Sequence, residues 1–259
     1  MQSCVDVPFS IRYIDFPALS GSRETLLSVK KLVIAIDGPA ASGKSTTAKL
    51  VARRLGYLHI DTGAMYRAIT LKILRSSAGE FYSKRVAAIV NETKIELKPA
   101  DGSLRVLLDG EDVTDEIRSP EVTAAVSSVS QIREVRQAMV KEQRKMGRDG
   151  GVVLEGRDIG TVVFPEADLK IYMVASIEAR AERRRRELDA RGIASEFEAL
   201  KSAIHHRDKK DSTRDESPLR KAYDAIELDT SELTIEEQVS FIVSQAHQAL
   251  SGAKGMKAK

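Results

Sequence analysis

The apolar positions of the chain fall into two recurring patterns. Leu32-Val33-Ile34-Ala35-Ile36 is an unbroken apolar run of strand length, the kind a sheet covered on both faces needs. Ala48, Val51, Ala52 and Leu55 then recur at i, i+3, i+4 and i+7, the helical period, and Gly56 stands where a glycine ends a helix. The alternation continues. Residues 57–60 predict a second strand, and Asp61 or Thr62 caps a helix to about Leu74, ended by Ser76-Ser77-Ala78-Gly79. Another helix is predicted over about 81–91. There the period changes to two. Residues 94–98 alternate, residues 104–108 do so more loosely, Asp101-Gly102 lies between them as a hairpin turn, and residues 112–114 start a third strand. Helical signals return from Pro120 to about Met146 and stop at Gly147 and Gly150-Gly151. Further strands are predicted at 152–155, 169–174 and 225–229. Ser176 caps a basic helix to about Arg191, a helix follows over about 196–209, and the last runs from Ile235 to Leu250. Strands alternating with helices imply an α/β fold, a parallel sheet flanked by helices, interrupted here by a small antiparallel insertion.

Residues 1–30 lack this periodicity and are broken by Pro8, Pro17 and Gly21. They have no basic start followed by an apolar stretch, so they do not read as a secretory signal, and Asp6, Asp15 and Glu24 argue against a transit peptide. The expectation is a poorly ordered extension, of the kind an over-called start codon leaves, and residues 252–259 read as a frayed tail. Composition adds limits rather than identity. With 259 residues, 42% hydrophobic and 31% charged, the chain suits one large domain or a domain with insertions. No stretch approaches the roughly 18 uncharged apolar residues of a membrane span. The single cysteine, Cys4, excludes an internal disulfide framework and fits a reducing, cytoplasmic setting. The 41 basic and 38 acidic residues balance too closely to argue for nucleic acid.

Between the first strand and the first helix lies Gly38-Pro39-Ala40-Ala41-Ser42-Gly43-Lys44-Ser45, which fits G-x-x-x-x-G-K-[ST], the phosphate-binding P-loop, and continues to Thr46. The context is the one the chemistry needs. Glycines let successive backbone N–H groups turn toward one anion, and the following helix adds the positive end of its dipole. Lys44 is expected to reach the β- and γ-phosphates of a bound nucleotide, and Ser45 to ligate Mg²⁺. A GTPase would need an N-K-x-D base reader, and the only asparagine, Asn91, precedes Glu92. A motor ATPase needs a strand ending in a metal-binding acid, for which Glu155 could serve, but the Gly156-Arg157-Asp158 that follows is unusual for a motor.

Four further segments join the P-loop: Asp61-Thr62-Gly63-Ala64-Met65-Tyr66-Arg67; residues 108–114 with Ile117-Arg118; Gly156-Arg157-Asp158-Ile159-Gly160-Thr161 through Pro165; and Arg207-Asp208 with Asp211 and Arg214. In this order they resemble the bacterial cytidylate kinase family over residues 31–250. The resemblance implies the P-loop three-layer sandwich of nucleoside monophosphate kinases. A domain over 31–251 would carry a monophosphate-binding insertion at about 76–124 and a helical lid at about 177–196.

The resemblance also implies roles. Cytosine presents an amino donor at N4, which a carboxylate accepts, and Asp158 on its glycine-flanked turn is the candidate; the alternative is a structural turn acid paired with Arg157. Ser127 and Arg136 are implied as its partners on the base, with Ser128 and Ser130 leaving a slip of register open. Arg67, Arg157 and Arg207 are implied around the acceptor phosphate, beside the Thr62 turn. Asp211 is the implied ribose ligand and Arg214 a phosphate or sugar contact. Tyr66 packs on the base or is a core aromatic. Arg180, Arg183 and Arg184 share one helix face; in a monophosphate kinase such arginines belong to the lid, with Arg180 and Arg184 favoured, whereas the plainer alternatives are a solvated face or a nucleic-acid patch.

The expected reaction is MgATP with CMP or dCMP giving ADP with CDP or dCDP, run by a monomer without nucleic acid or membrane. The second pKa of a phosphate monoester is about 6, so the acceptor is already mostly a dianion and no general base is needed. Another small-molecule P-loop kinase, acting on adenylate, uridylate or a shikimate-like acceptor, and an RNA-binding module remain the alternatives.

Overall fold

The computed structural model describes residues 10–13, 31–76, 83–100 and 103–255. In chain order the strands are β1 (Ser10–Tyr13), β2 (Val33–Asp37), β3 (Leu58–Asp61), β4 (Lys94–Ala100), β5 (Ser103–Leu108), β6 (Glu111–Asp112), β7 (Val152–Gly156), β8 (Leu169–Val174) and β9 (Ile226–Asp229). The helices are α1 (Lys44–Leu55), α2 (Thr62–Arg75), α3 (Ser83–Glu92), α4 (Pro120–Val129), α5 (Arg133–Gly147), α6 (Ile177–Asp189), α7 (Phe197–Thr213) and α8 (Ile235–Gly255). They form two compact units. One runs from Lys30 to Asp61 and from Gly147 onward; the other takes Thr62–Met146 together with the chain before Lys30.

The first unit holds a five-stranded sheet in the order β3-β7-β2-β8-β9, parallel at every pairing. Burial on both faces explains why β2 and β7 read as unbroken apolar runs. Ile34, Ile36, Val153, Ile171 and Met173 share one core with Ala48, Val51 and Ala52 of α1 and Val239, Ile242 and Ala246 of α8. Truncating a residue such as Ile36 to Ala here costs about 2–5 kcal/mol. Gly56 ends α1 in the left-handed conformation, its N–H returning to the carbonyls of Ala52 and Arg53. The register sets Asp37 level with Gly156 and Tyr172, and Asp61 level with Glu155. The carboxyl ends of four neighbouring strands therefore finish together, which is where open parallel sheets bind ligands.

The second unit is built on a four-stranded sheet in the order β1-β4-β5-β6. The expected hairpin is present. Ile95 and Leu97 on β4, with Val106 and Leu108 on β5, are buried, and the pairing of Ala100 with Ser103 leaves two residues for the turn; Asp101-Gly102 themselves lie outside the described residues. The unit is wider than the 76–124 insertion read from the sequence, because α2 and α5 belong to it.

Three elements differ from the sequence reading. The helical stretch expected over 120–146 consists of two helices, α4 and α5, separated at Ser130–Ile132, where the Ser130 hydroxyl donates to the Ser127 carbonyl at 3.0 Å. Helix α7 runs on to Thr213, past the expected end at about 209, which places Asp211 inside the helix. Residues 10–13 of the supposed extension form β1, parallel to β4 from Ser10 opposite Lys94 to Tyr13 opposite Leu97. Ile11 is 6% exposed and its N–H reaches the Glu142 carboxylate at 3.4 Å. Four residues are too few to show a period, and their pairing comes from a distant strand. Residues 1–9, with Cys4, residues 14–30, and the tail 256–259 lie outside the described residues; α8 continues through residue 255.

Candidate active site

The P-loop leaves β2 through backbone that few residues adopt. Gly38 has φ 150° and a Cβ there would meet the Met173 carbonyl oxygen at 2.1 Å, so only glycine lets the loop pass the end of β8. Ala41 and Gly43 also have positive φ, at 58° and 96°. Such reversals of hand curl a loop around a concavity lined by N–H groups, an anion-binding nest. Lys44, at the first position of α1, is 5% exposed and donates to the Pro39 carbonyl at 2.5 Å and to Ser42 Oγ at 3.2 Å. Burial, and next the nearby Arg157 charge, push its ammonium well below the ordinary lysine range. Ser42 is held in turn, its carbonyl accepting from Thr230 Oγ1 at 2.9 Å.

Glu155, at the end of β7, is the hub of a second group. Its Oε2 accepts from Ser45 Oγ at 2.6 Å and its Oε1 lies 2.9 Å from His59 Nε2. Burial works to raise the Glu155 carboxyl, but the His59 hydrogen bond and charge, with Ser45 and Lys44, hold it below the ordinary range. His59 is the converse: burial lowers it, and Glu155 more than restores it, so the imidazole is raised. Hydroxyl and carboxylate oxygens beside a phosphate nest are the hard donors that Mg²⁺ takes, and an ion that keeps several waters needs few of them. Ser45 thus fits the role expected of it, and Glu155 sits behind it.

Asp37 organises the turn that follows β7. Its two carboxylate oxygens accept the backbone N–H groups of Ile159 and Gly160 at 2.8 and 2.7 Å, fixing the single π-helical turn Ile159–Val163. Burial raises its carboxyl to about 6, the two N–H groups opposing, with Asp158 and Lys44 close enough to be felt. Asp158, immediately before the capped turn, is 4% exposed. Arg157 makes an ion pair with Asp211 at 3.0 Å and donates to its neighbour's carbonyl at Gly156. Asp211 also faces Arg207, at 4.0 Å. Burial works to raise Asp211, and the Arg157 and Arg207 charges outweigh it, leaving the carboxyl low. Arg214, buried at the end of α7, donates through Nε to the Ser217 carbonyl at 2.5 Å.

The arginines of α6 share a face in sequence but have separate fates. Arg180 is anchored to Asp208 and to the loop carbonyl of Ala40. Arg183 is locked onto Thr230, donating to its hydroxyl at 3.1 Å and to its carbonyl. Arg184, half-buried, pairs with Glu187 on its own helix at 2.8 Å. Arg185 and Arg186 both pair with Glu182.

In the second unit, Arg136 lies over the Tyr66 ring at 5.9 Å, a cation–π contact, and donates to the Ser130 carbonyl at 3.4 Å. Ser130 is tied to the Ser127 carbonyl, so three of the expected base-side positions are linked. Ser127 is buried and Ser128 exposed. Arg67 donates to Thr123 Oγ1 at 2.8 Å and to the Ile117 carbonyl at 3.2 Å. Thr62 is buried at the start of α2.

Four participants escaped sequence reasoning. Asp37 carried a signal, an acid at the carboxyl end of a strand directly before the phosphate loop. Asp208 stood in the Arg207-Asp208 motif with no role read from it, and His59 and Thr230 carried no signal, since each acts through a partner far away in the chain.

Against known proteins, the family model described as cytidylate kinase matches residues 34–248. A cytidylate kinase of Enterococcus faecalis is 53% identical over 82% of this chain and 94% of its own. Those of Limosilactobacillus reuteri and Caldicellulosiruptor bescii are 52% and 51% identical, over 82% and 81% of this chain and 94% and 92% of theirs.

Proposed function

The chain belongs to the cytidylate kinase family, and on that premise we propose how its own residues transfer a phosphoryl group from ATP to CMP or dCMP. The loop of Gly38, Pro39, Ala40, Ala41, Ser42, Gly43, Lys44, Ser45 and Thr46 takes the donor phosphates through the backbone N–H groups of its residues other than Pro39, which has none, and the Lys44 ammonium leaves its loop carbonyl for the β- and γ-phosphates. Ser45 holds Mg²⁺, with Glu155 fixing the hydroxyl's direction. When bound, the ion neutralises phosphate charge. Arg157 and Arg207, oriented by Asp211, meet the acceptor phosphate, as does Arg67. Asp158 accepts from the cytosine amino group, Ser127 and Arg136 supply donors to the base, Asp211 takes the ribose hydroxyls and Arg214 contacts phosphate or sugar. Thr62 and Tyr66 complete the monophosphate side.

An oxygen of the acceptor phosphate attacks the γ-phosphorus in line, the bond to the β–γ bridging oxygen breaks, and ADP departs. The acceptor is already mostly a dianion, because its second pKa is about 6, so no base is used. The chemistry is positioning and charge neutralisation, with Arg180 and Arg184 of the lid helix α6 at the transferring group. The supporting observation is that Asp37, the strand residue directly before the phosphate loop, accepts the N–H groups of Ile159 and Gly160, directly after Asp158, at 2.8 and 2.7 Å. One side chain at the carboxyl end of β2 thus ties the phosphate loop to the turn that carries the base-reading candidate. We read the enzyme as a cytoplasmic monomer acting on free nucleotides; among the described residues no helix is long and apolar enough to cross a membrane. The test is ADP release with MgATP and a panel of CMP, dCMP, UMP, AMP and shikimate. CMP and dCMP should lead in kcat/KM by about tenfold or more. A lead by AMP or shikimate would replace this reading with another kinase of the same loop.

A further inference from the structure

Asp208, on α7, has none of the roles above. Its Oδ2 accepts from Arg180 Nη1 at 2.5 Å, while its Oδ1 is buried with no hydrogen-bond partner. Arg180 is 7% exposed and gripped from three directions. Its Nε donates to the Ala175 carbonyl, just past β8, at 3.1 Å, and its Nη1 lies 3.4 Å from the Ala40 carbonyl in the phosphate loop. A guanidinium is a rigid planar fork, so acceptors on three separate segments fix its plane as well as its position. Arg184, one turn further on, pairs with Glu187 of its own helix and, among the described residues, has no such anchorage.

We infer that Asp208 is a positioning residue, whose carboxylate sets the Arg180 guanidinium against the phosphate loop before nucleotide arrives. The inference rests on the phosphoryl-transfer reading above. A donor already in place where charge develops needs no reorganisation during the reaction, and that is what makes such groups effective. The carboxylate is also the one charged group of the three acceptors, so it supplies most of the hold. Asp208 itself does not touch the transferring phosphate in this scheme; its effect passes through Arg180.

The experiment is a double-mutant cycle of Asp208→Asn and Arg180→Ala, read as kcat and KM for CMP at saturating MgATP. Asn keeps the size and one acceptor but drops the charge. Asp208→Asn should lower kcat about tenfold with KM for CMP within about threefold. In the Arg180→Ala background the same change should have no effect beyond about twofold. Asp208→Glu, which keeps the charge, should recover at least about a third of kcat. Equal losses in both backgrounds, or a kcat in Asp208→Asn equal to or above wild type, would overturn the inference. Melting temperatures identify a variant that loses activity by unfolding, and for such a variant Asp208→Glu carries the comparison. Calorimetric titration with ADP separates this inference from the acceptor assignment. If wild type releases no CMP-dependent ADP, the assignment fails, yet Asp208→Asn should still weaken ADP binding about threefold or more with Arg180 present and not without it. A uniform effect on ADP binding would count against the positioning role.

Discussion

The carboxylate of Asp37 accepts the backbone N–H of Gly160 at 2.7 Å, joining the strand before the phosphate loop to the turn after Asp158. In Asp37→Asn one oxygen becomes an amide that faces an N–H, so the turn cannot keep both bonds. The loss of one acceptor costs about 1–3 kcal/mol, and kcat/KM for CMP should fall roughly tenfold. The pH behaviour is a separate check. The Asp37 carboxyl is raised from 3.8 to about 6 by burial. The folded state therefore holds the proton more tightly, and wild-type stability relative to Asp37→Asn should fall as pH rises from about 4 to about 6 and then level off. A melting-temperature difference between the two proteins that is flat across this window would show that the carboxyl is not raised.

Lys44→Ala removes the charge proposed to act on the transferring phosphates while leaving α1 and its core contacts in place. Turnover should drop by roughly 10²-fold or more with the melting temperature little changed. Steady-state ADP release checks this, and activity within a factor of a few of wild type would contradict the loop assignment.

Glu155→Gln takes the charge from behind Ser45 and from His59 at nearly constant volume. If Glu155 orients the Ser45 hydroxyl toward Mg²⁺, the Mg²⁺ concentration for half-maximal rate should rise about tenfold, with KM for CMP nearly unmoved. A shift in KM for CMP alone would place Glu155 on the acceptor side instead.

The strand, loop and first helix were legible in the sequence because their determinants are consecutive: an apolar run, glycines where side chains cannot pass, then a 3.6-residue period. The β4–β5 hairpin was legible for the same reason. What escaped depends on partners distant in sequence. Asp37 bonds to residues 122 and 123 positions away. Arg180, Arg183 and Arg184 are indistinguishable by spacing, and only Asp208, Thr230 and Glu187 tell them apart. The break between α4 and α5 falls on Ser130-Gln131-Ile132, residues neutral enough to continue a helix. Strand β1 exists because β4 offers it an edge.

That strand changes the expectation for the N-terminal segment. Deleting residues 1–13 removes a ladder and the burial of Ile11, worth about 1.5–3 kcal/mol for a side chain of that size. The deletion should lower the melting temperature by several degrees. Turnover at saturating CMP should stay within about twofold, because no residue of the phosphate loop or the Asp158 turn is lost. An unchanged melting temperature would mean that β1 contributes nothing to the fold.

In the mechanism proposed above, Asp158 reads cytosine while the loop and the arginines move the phosphoryl group. Asp158→Asn tests it through the ratio of kcat/KM for CMP to that for UMP, whose base carries a carbonyl where cytosine has its amino group. Loss of a charged acceptor for a buried donor should lower this ratio by roughly tenfold or more, chiefly through CMP. Some loss for both acceptors is compatible with a charge that also steadies nearby arginines. If the two substrates weaken equally, the ratio stays at its wild-type value, Asp158 is a structural acid, and the base is read elsewhere.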